Sequence, residues 1–371
     1  LPPEPALETD EELNDLREKA GMALGRLDGL ATTLPDPSIF LYSYVRKEAV
    51  LSSQIEGTQS SLSDLLLFEV DAAPGVPVDD VIEVSNYVAA MEYGLRRLPE
   101  LPLSLRLLKE VHGVLLSRGR GSNKDPGEFR RSQNWVGGNR PGNAVLVPPP
   151  PDLLPDCLGA LEKFLHDDPV RTPLLIKAAL AHVQFETIHP FLDGNGRVGR
   201  LLVTLLLCAE GALREPLLYL SLYFKQHRQE YYDLLQRVRL EGDWESWVKF
   251  FLRGVQETAE DATATARGLA RLAEEDERKL HRLGRAAGTA LRLHRFIQRQ
   301  PIASIAVTCK RLELSVPAVT RAFGNLQKAG IVREITGAKY GRLYAYDAYL
   351  RTLGEDSLAA VASRRQTGIA P

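Results

Sequence analysis

The stretch His189-Pro-Phe-Leu-Asp-Gly-Asn-Gly-Arg-Val-Gly-Arg200 lies between two runs with helical patterning, residues 172–187 and a second that ends at Gly211. Its Gly194-Asn-Gly-Arg-Val-Gly199 part has the spacing G-x-G-x-x-G, which in a dinucleotide-binding turn joins a strand to a helix. Here the preceding run has the length and the Leu/Ala content of a helix. The turn therefore joins helix to helix, and a doubly wound α/β fold is excluded. The chain is expected to be mainly α.

Helical patterning continues on both sides. Thr9-Asp-Glu-Glu12 is placed to cap a helix with Leu13, Leu16, Ala20 and Leu24 on one face. Another helix is expected over residues 41–56 with Gly57 as its C-cap, and two more over 81–98 and 104–117. From 118 to 155 Gly and Pro become dense. The short β-type runs 133–136 and 144–147 flank a turn-forming segment there, which predicts a hairpin. Residues 219–273 read as long amphipathic helix interrupted near Gly242. The acidic run Glu274-Glu-Asp-Glu277 reads as a solvated helix face. The last unit predicts helices over 291–297, 304–311 and 315–330, then a two-stranded hairpin over 331–346, which is a winged helix-turn-helix pattern. The expected division is an N-terminal helical region (1–100), a core (101–255), a helical linker (256–284), the winged helix (285–350) and a tail (351–371).

Composition narrows the classes further. A formal net charge of −2 over 371 residues argues against a chain that coats nucleic acid or membrane as a whole. The balance is local, with twelve Lys/Arg against three Asp/Glu between His281 and Leu350. Cys157, Cys208 and Cys309 are far apart and lack a C-x-x-C partner, so they read as reduced, mostly buried thiols. No apolar run is long enough to span a bilayer. The first residues resemble no signal or transit peptide, although the missing Met allows that a leader was removed. A cytoplasmic protein is expected.

A loop entering a helix near Arg197 presents unpaired N–H groups and the positive end of the helix dipole, which suits a phosphate. Gly194 and Gly196 let an anion approach the backbone, and Asn195 adds a side-chain donor. Arg197 and Arg200, three apart, can both reach a phosphate chain. Asp193 is a hard oxygen ligand that suits Mg²⁺ shared with phosphate oxygens. His189 is placed to act as general base on an incoming hydroxyl. Each residue alone has a structural explanation, and their concentration in one short stretch is what points to chemistry. His182, Glu186 and His189 share a helical face, but no further ligand cluster supports zinc, so His182 and Glu186 read as packing and orienting residues.

The whole stretch resembles the HxFx(D/E)GNGRxxR signature of the Fic family. The resemblance implies a Fic-type helical core and transfer of AMP from ATP to a Ser, Thr or Tyr hydroxyl, with pyrophosphate leaving. It implies His189 as base, Phe191 as buried anchor, Asp193 on Mg²⁺, Gly194, Asn195 and Gly196 as the anion hole, and Arg197 and Arg200 on the β- and γ-phosphates. Upstream, Gly127-Glu-Phe-Arg-Arg-Ser-Gln-Asn-Trp-Val-Gly-Gly138 and Val147-Pro-Pro-Pro150 resemble the family's flap hairpin. Trp135, Val136, Val147 and Pro148 would dock a target segment by strand addition. Ser52-Ser-Gln-Ile-Glu56-Gly57 resembles the family's [S/T]xxxE[G/N] inhibitory motif. In that reading Glu56 pairs with Arg200 and takes the space of the γ-phosphate.

In the C-terminal unit Thr320, Arg321, Lys328, Lys339 and Arg342 are candidate DNA contacts, and a dimerisation role is equally open there. Three functions therefore stand. The first is a self-inhibited, Mg²⁺-dependent adenylyltransferase acting on a target protein or on itself. The second is a DNA-binding regulator whose Fic core is a sensor. The third is de-AMPylation or another phosphate-group transfer. A homodimer is compatible with each.

Overall fold

A computed structural model describes residues 1–33, 38–70, 76–337 and 341–354. Its helices are α1 (Glu11–Thr33), α2 (Ser38–Ile55), α3 (Leu62–Glu69), α4 (Val78–Arg97), α5 (Leu105–Leu115), α6 (Leu154–Leu165), α7 (Leu174–Ile188), α8 (Asn195–Ala209), α9 (Ser221–Gln226), α10 (Arg228–Glu241), α11 (Trp244–His281), α12 (Ala287–Arg299), α13 (Ile305–Leu312), α14 (Val316–Lys328) and α15 (Asp347–Thr352). The strands are β1 (Ile302–Ser304), β2 (Arg333–Glu334) and β3 (Leu343–Ala345). The protein is mainly α, as the sequence requires. Among the described residues no helix is long and apolar enough to cross a membrane.

The described residues form two compact units, one from 1–29, 48–58 and 82–260, the other from the described parts of 30–47, 59–81 and 261–354. Compactness thus cuts the chain differently from the five-part reading, which we keep as a proposal about segments with separate tasks.

The first unit is built on α7 and α8. Nearly every residue of α7 from Leu175 to Ile188 is buried, so this mostly apolar helix is covered on all sides and lies inside its neighbours. It packs against α6, α8 and α10, while α5 lies against α8. Trp247 is fully buried and donates its indole N–H to the Ala179 carbonyl at 2.8 Å. Lys177, also buried, is neutralised by Asp167 at 2.7 Å, because an unpaired buried ammonium would be prohibitively costly. The cap of α1 is Asp10, whose carboxylate accepts the Leu13 N–H at 2.8 Å.

The expected hairpin is reduced to one bridge, Val136 with Leu146. The reason is local. Gly137 and Gly138 take φ of 70° and 66°, a short 3-10 turn occupies Pro141–Asn143, and the prolines from 148 to 151 have no N–H to give a ladder. Gln133 instead donates its side-chain amide to the Pro148 carbonyl at 3.0 Å.

In the second unit α12, α13 and α14 pack on one another, and the strands form one antiparallel sheet in the order β1-β3-β2. This is consistent with the expected winged helix. The sequence reading found the two wing strands but not β1, which is three residues long and follows Pro301, too short to show alternation. On α14 the buried residues Val319, Ala322, Phe323 and Leu326 keep helical spacing, and Phe323 stacks on Tyr344 with ring centroids 4.1 Å apart. The acidic run is not uniformly solvated: Asp276 is buried and accepts from the Tyr346 hydroxyl and from Lys279, each at 2.6 Å. Cys157, Cys208 and Cys309 are free, as expected, but half-buried rather than buried. Lys339 lies outside the described residues.

Candidate active site

The loop between α7 and α8 is made by two left-handed residues. His189 caps α7 at φ 49°, ψ 59°, and Gly194 precedes α8 at φ 76°. A helix therefore stands before the glycine-rich turn, as the sequence indicates, and α8 begins at Asn195, two residues earlier than expected. The side chain of Asn195 holds the loop closed. It accepts from the Phe191 N–H and donates to the Phe191 carbonyl, both at 2.8 Å. One of the two N–H groups of that amide is thus engaged inside the loop.

Phe191 is the anchor beneath the loop. It is fully buried and stacks on His112 with centroids 3.7 Å apart and planes at 10°. His112 accepts the Gly127 N–H on Nδ1 at 2.8 Å, so its Nε2 carries the proton and donates to the Asp193 carbonyl at 3.1 Å. Burial pushes the His112 pKa down to about 4, in keeping with a neutral ring of fixed tautomer. A second clamp is Arg130. Its Nε donates to the His189 carbonyl at 2.9 Å, its Nη2 reaches the Pro149 carbonyl, and its own N–H bonds the Pro190 carbonyl at 2.9 Å. Asn134 donates to the Phe191 carbonyl at 2.9 Å. The flap is thereby tied to the loop at its base. Beyond the base, Trp135 and Val147 are exposed at 40% and 48%, Val136 is half-buried and Pro148 is buried.

The catalytic candidates surround this loop. The His189 ring is 18% exposed, and its Nδ1 lies 3.9 Å from Glu186 Oε2 without a hydrogen bond. Burial lowers its pKa to about 4 and raises that of Glu186 to about 7. Gly199 makes room for this carboxyl, since a Cβ there would lie 2.6 Å from Glu186 Oε1. His182 has both nitrogens engaged, with the Gly199 carbonyl and the Tyr231 hydroxyl each at 2.9 Å. It therefore orients and packs, and no group of three His, Cys, Asp or Glu placed to hold a metal occurs among the described residues. Asp193 is 35% exposed and accepts the Gly194 N–H at 2.6 Å. Arg197 and Arg200 are both 2% exposed.

Arg200 is where the N-terminal motif arrives. Its Nη2 donates to Glu56 Oε1 at 2.6 Å and to the Ser52 carbonyl at 3.0 Å, and its Nε donates to the Ser52 hydroxyl at 2.7 Å. Glu56 directly follows α2, and Gly57 turns the chain away at φ 101°. The Glu56 carboxylate lies over the first turn of α8: a Cβ on Gly196 would be 2.2 Å from Oε1. Burial alone would raise the Glu56 pKa, but the charge and hydrogen bond of Arg200 outweigh it and hold the carboxyl below its usual range. For Arg200 burial opposes the charge, and the attraction of Glu56 with nearby tyrosine oxygens raises its pKa overall.

Residues 14–96 match the family description Fic/DOC family N-terminal, and residues 102–207 match Fic/DOC family, together about half of the chain. The chain belongs to the Fic/DOC family. Its likeness to the protein named Protein adenylyltransferase Fic of Aedes aegypti is 36% identity over 201 residues, 53% of this chain and 37% of that one. For the same-named protein of Drosophila melanogaster it is 31% over 208 residues, 55% of this chain and 39% of that one. The chain thus spans well under half of those relatives. Among solved structures, a Fic family protein from Desulfovibrio desulfuricans superposes with a TM-score of 0.61 at 20% identity, covering 92% of this chain and 97% of that one. A Fic domain signaling protein from Bacteroides thetaiotaomicron gives 0.52 at 19%, covering 70% and 97%. At these identities the likeness is one of fold, and it places the Fic/DOC fold around the loop described above.

Sequence reasoning missed three residues in this site: His112, Arg130 and Glu83 on α4, whose Oε2 lies 3.3 Å from Arg197 Nη1. His112 and Glu83 read as ordinary helix residues, and Arg130 sits in a Phe-Arg-Arg run that gives no hint which arginine turns inward.

Proposed function

We propose that this chain is a protein adenylyltransferase that moves AMP from ATP to a Ser, Thr or Tyr hydroxyl and is restrained by Glu56. The observation that carries it is the meeting of His189, the Gly194–Gly196 turn and Arg200 on one loop and helix start. The names of the curated relatives support the same reading. In this reading the neutral His189 imidazole takes the hydroxyl proton while the hydroxyl oxygen attacks the α-phosphorus. The bond from that phosphorus to the bridging oxygen breaks, and pyrophosphate leaves. The N-terminal N–H groups of α8 and the Gly196 backbone face the anion, and Arg197 and Arg200 hold the β- and γ-phosphates. Asp193, a half-buried carboxylate beside the turn, would hold a Mg²⁺ ion that arrives with the nucleotide, and such an ion would supply positive charge against the leaving group. The flap residues Trp135, Val136, Val147 and Pro148 hold the target strand.

The test compares ATP labelled at the α- and γ-phosphate with Glu56→Gly protein. Label entering protein from the α position only is the expected result, and label from the γ position would overturn adenylyl transfer in favour of phosphoryl transfer. Following release of AMP from pre-labelled protein in parallel decides whether the unmutated enzyme removes AMP instead.

A second reading, DNA binding by the C-terminal unit, is favoured by one observation. Thr320, Arg321 and Lys328 are exposed on α14, opposite its buried face. If α14 contacts phosphates, fluorescence anisotropy with a DNA duplex is expected to show affinity falling steeply with salt, by roughly 10-fold or more between about 50 and 200 mM. Retention of affinity in an Arg321→Ala, Lys328→Ala double variant would exclude this helix as the contact.

A further inference from the structure

The first arginine of the glycine-rich turn stands in a costly place for a cation. Arg197 is the third residue of α8, where the helix dipole already presents positive charge. Its side chain is 2% exposed, and its Nε has no hydrogen-bond partner. A guanidinium buried at that end of a helix persists only opposite a carboxylate. Asp193 is 3.7 Å away, 35% exposed and already bonded to the Gly194 N–H. The nearer and more buried partner is Glu83 on α4, whose Oε2 lies 3.3 Å from Arg197 Nη1 and whose side chain is 3% exposed.

Glu83 carries a second cation. Arg120 places Nε 2.9 Å from Oε1 and Nη2 3.0 Å from Oε2, and its side chain is 54% exposed. The loop bearing Arg120 is fixed in turn, because Asn86, three residues beyond Glu83, donates to the Arg118 carbonyl at 2.7 Å. The next residue, Gly121, lies against the other end of the turn: a Cβ there would be 2.6 Å from Asp193 Oδ2. One chain of contacts, Arg120–Glu83–Arg197–Asp193, therefore links α4, the loop after α5 and the start of α8.

We infer that Glu83 is a positioning residue of the nucleotide site: it fixes the plane of the Arg197 guanidinium so that its remaining donors face Asp193 and the phosphate chain. The inference rests on the adenylyltransferase reading and deepens it. The buried carboxylate settles the orientation before the nucleotide arrives, so little ordering cost is left for binding. The first turn of α8 cannot do this alone, since it has no acidic side chain of its own.

The experiment is calorimetric titration of the full chain with MgATP and, separately, with AMP, which lacks the phosphates assigned to Arg197. Glu56→Gly is the parent, compared with Glu56→Gly/Glu83→Gln and Glu56→Gly/Glu83→Asp. The expected result is that Glu83→Gln weakens MgATP binding by ~10-fold or more, the usual scale for a charge-assisted hydrogen bond. AMP affinity should stay within about twofold, and Glu83→Asp should recover part of the loss. Unchanged MgATP affinity in Glu83→Gln overturns the inference. An equal loss for AMP overturns it too, because Glu83 would then be a general prop of the fold. If Glu83→Gln does not fold, Glu83→Asp carries the same comparison, with a selective loss for MgATP expected. A parent that binds neither nucleotide would instead bring down the adenylyltransferase reading itself.

Discussion

Glu56→Gly is expected to raise AMP transfer from ATP by ~10²-fold over the unmutated chain, the scale by which a misplaced reacting atom slows a reaction. The Glu56 carboxylate lies 2.6 Å from Arg200 Nη2 and over the Gly196 backbone, where a terminal phosphate would seek the same guanidinium. A nucleotide that enters beside it meets a like charge and must bind with its phosphate chain displaced. Glycine removes carboxylate and side chain together. Glutamine keeps the volume and one acceptor oxygen, so Glu56→Gln should release only part of the activity. Arg200 survives the change because Ser52 still receives its Nε and Nη2. Acid does not substitute for the mutation. The folded pKa of Glu56 is held below its usual 4.5, so the contact and the stability it contributes are complete above that value and are lost only as pH falls through the lower, folded one. Initial rates of protein labelling measure the effect, and equal rates for the two proteins would mean that Glu56 is no brake.

The parts of this arrangement that were legible in the sequence are those written in consecutive residues. Order along the chain fixes the loop between α7 and α8, since left-handed residues end one helix and begin the next at Gly194, and the apolar content of α7 announces a buried helix. The meeting of Glu56 with Arg200 was legible only through resemblance. The contact spans |i−j| = 144, and no local rule connects such positions. His112, Arg130 and Glu83 were illegible for the same reason in stronger form. Each acts through partners distant in sequence, and a buried His or Glu within an amphipathic helix looks like any other until the facing segment is known. The flap shows the opposite failure. Its β-type residues predict two strands, but side chains of Arg130 and Gln133 take the Pro149 and Pro148 carbonyls, Asn134 reaches across to the Phe191 carbonyl, and the prolines remove the donors. Tertiary demand there overrides local propensity.

His189→Ala, made in the Glu56→Gly chain, is expected to lower AMP transfer by ~10²–10⁴-fold, the range spanned by general bases. The structure makes the ring a proton acceptor by keeping it neutral. The left-handed backbone at φ 49° sets its direction, Arg130 fixes its carbonyl at 2.9 Å, and burial lowers its pKa to about 4. The sign of the pH dependence follows. A base works only when unprotonated, so with a pKa near 4 the protonation of His189 leaves kcat/KM flat from about pH 8 down to about pH 5. An imidazole at the ordinary ~6.5 would already have lost half its rate at about pH 6.5 and nearly all of it at about pH 5. The same low pKa makes a weak acceptor, which suits a step in which the leaving pyrophosphate, held by the cations at the start of α8, supplies most of the driving force. Binding and chemistry are separable in the variant. Calorimetry should find MgATP affinity within about threefold of the parent, because the residues assigned to the phosphates are untouched. Transfer that continues at the parental rate in His189→Ala would remove the imidazole from the reaction. An acid limb centred near pH ~6.5 that persists in a Glu186→Gln variant, which removes the neighbouring carboxyl of pKa about 7, would instead show that the ring is solvated in the working enzyme.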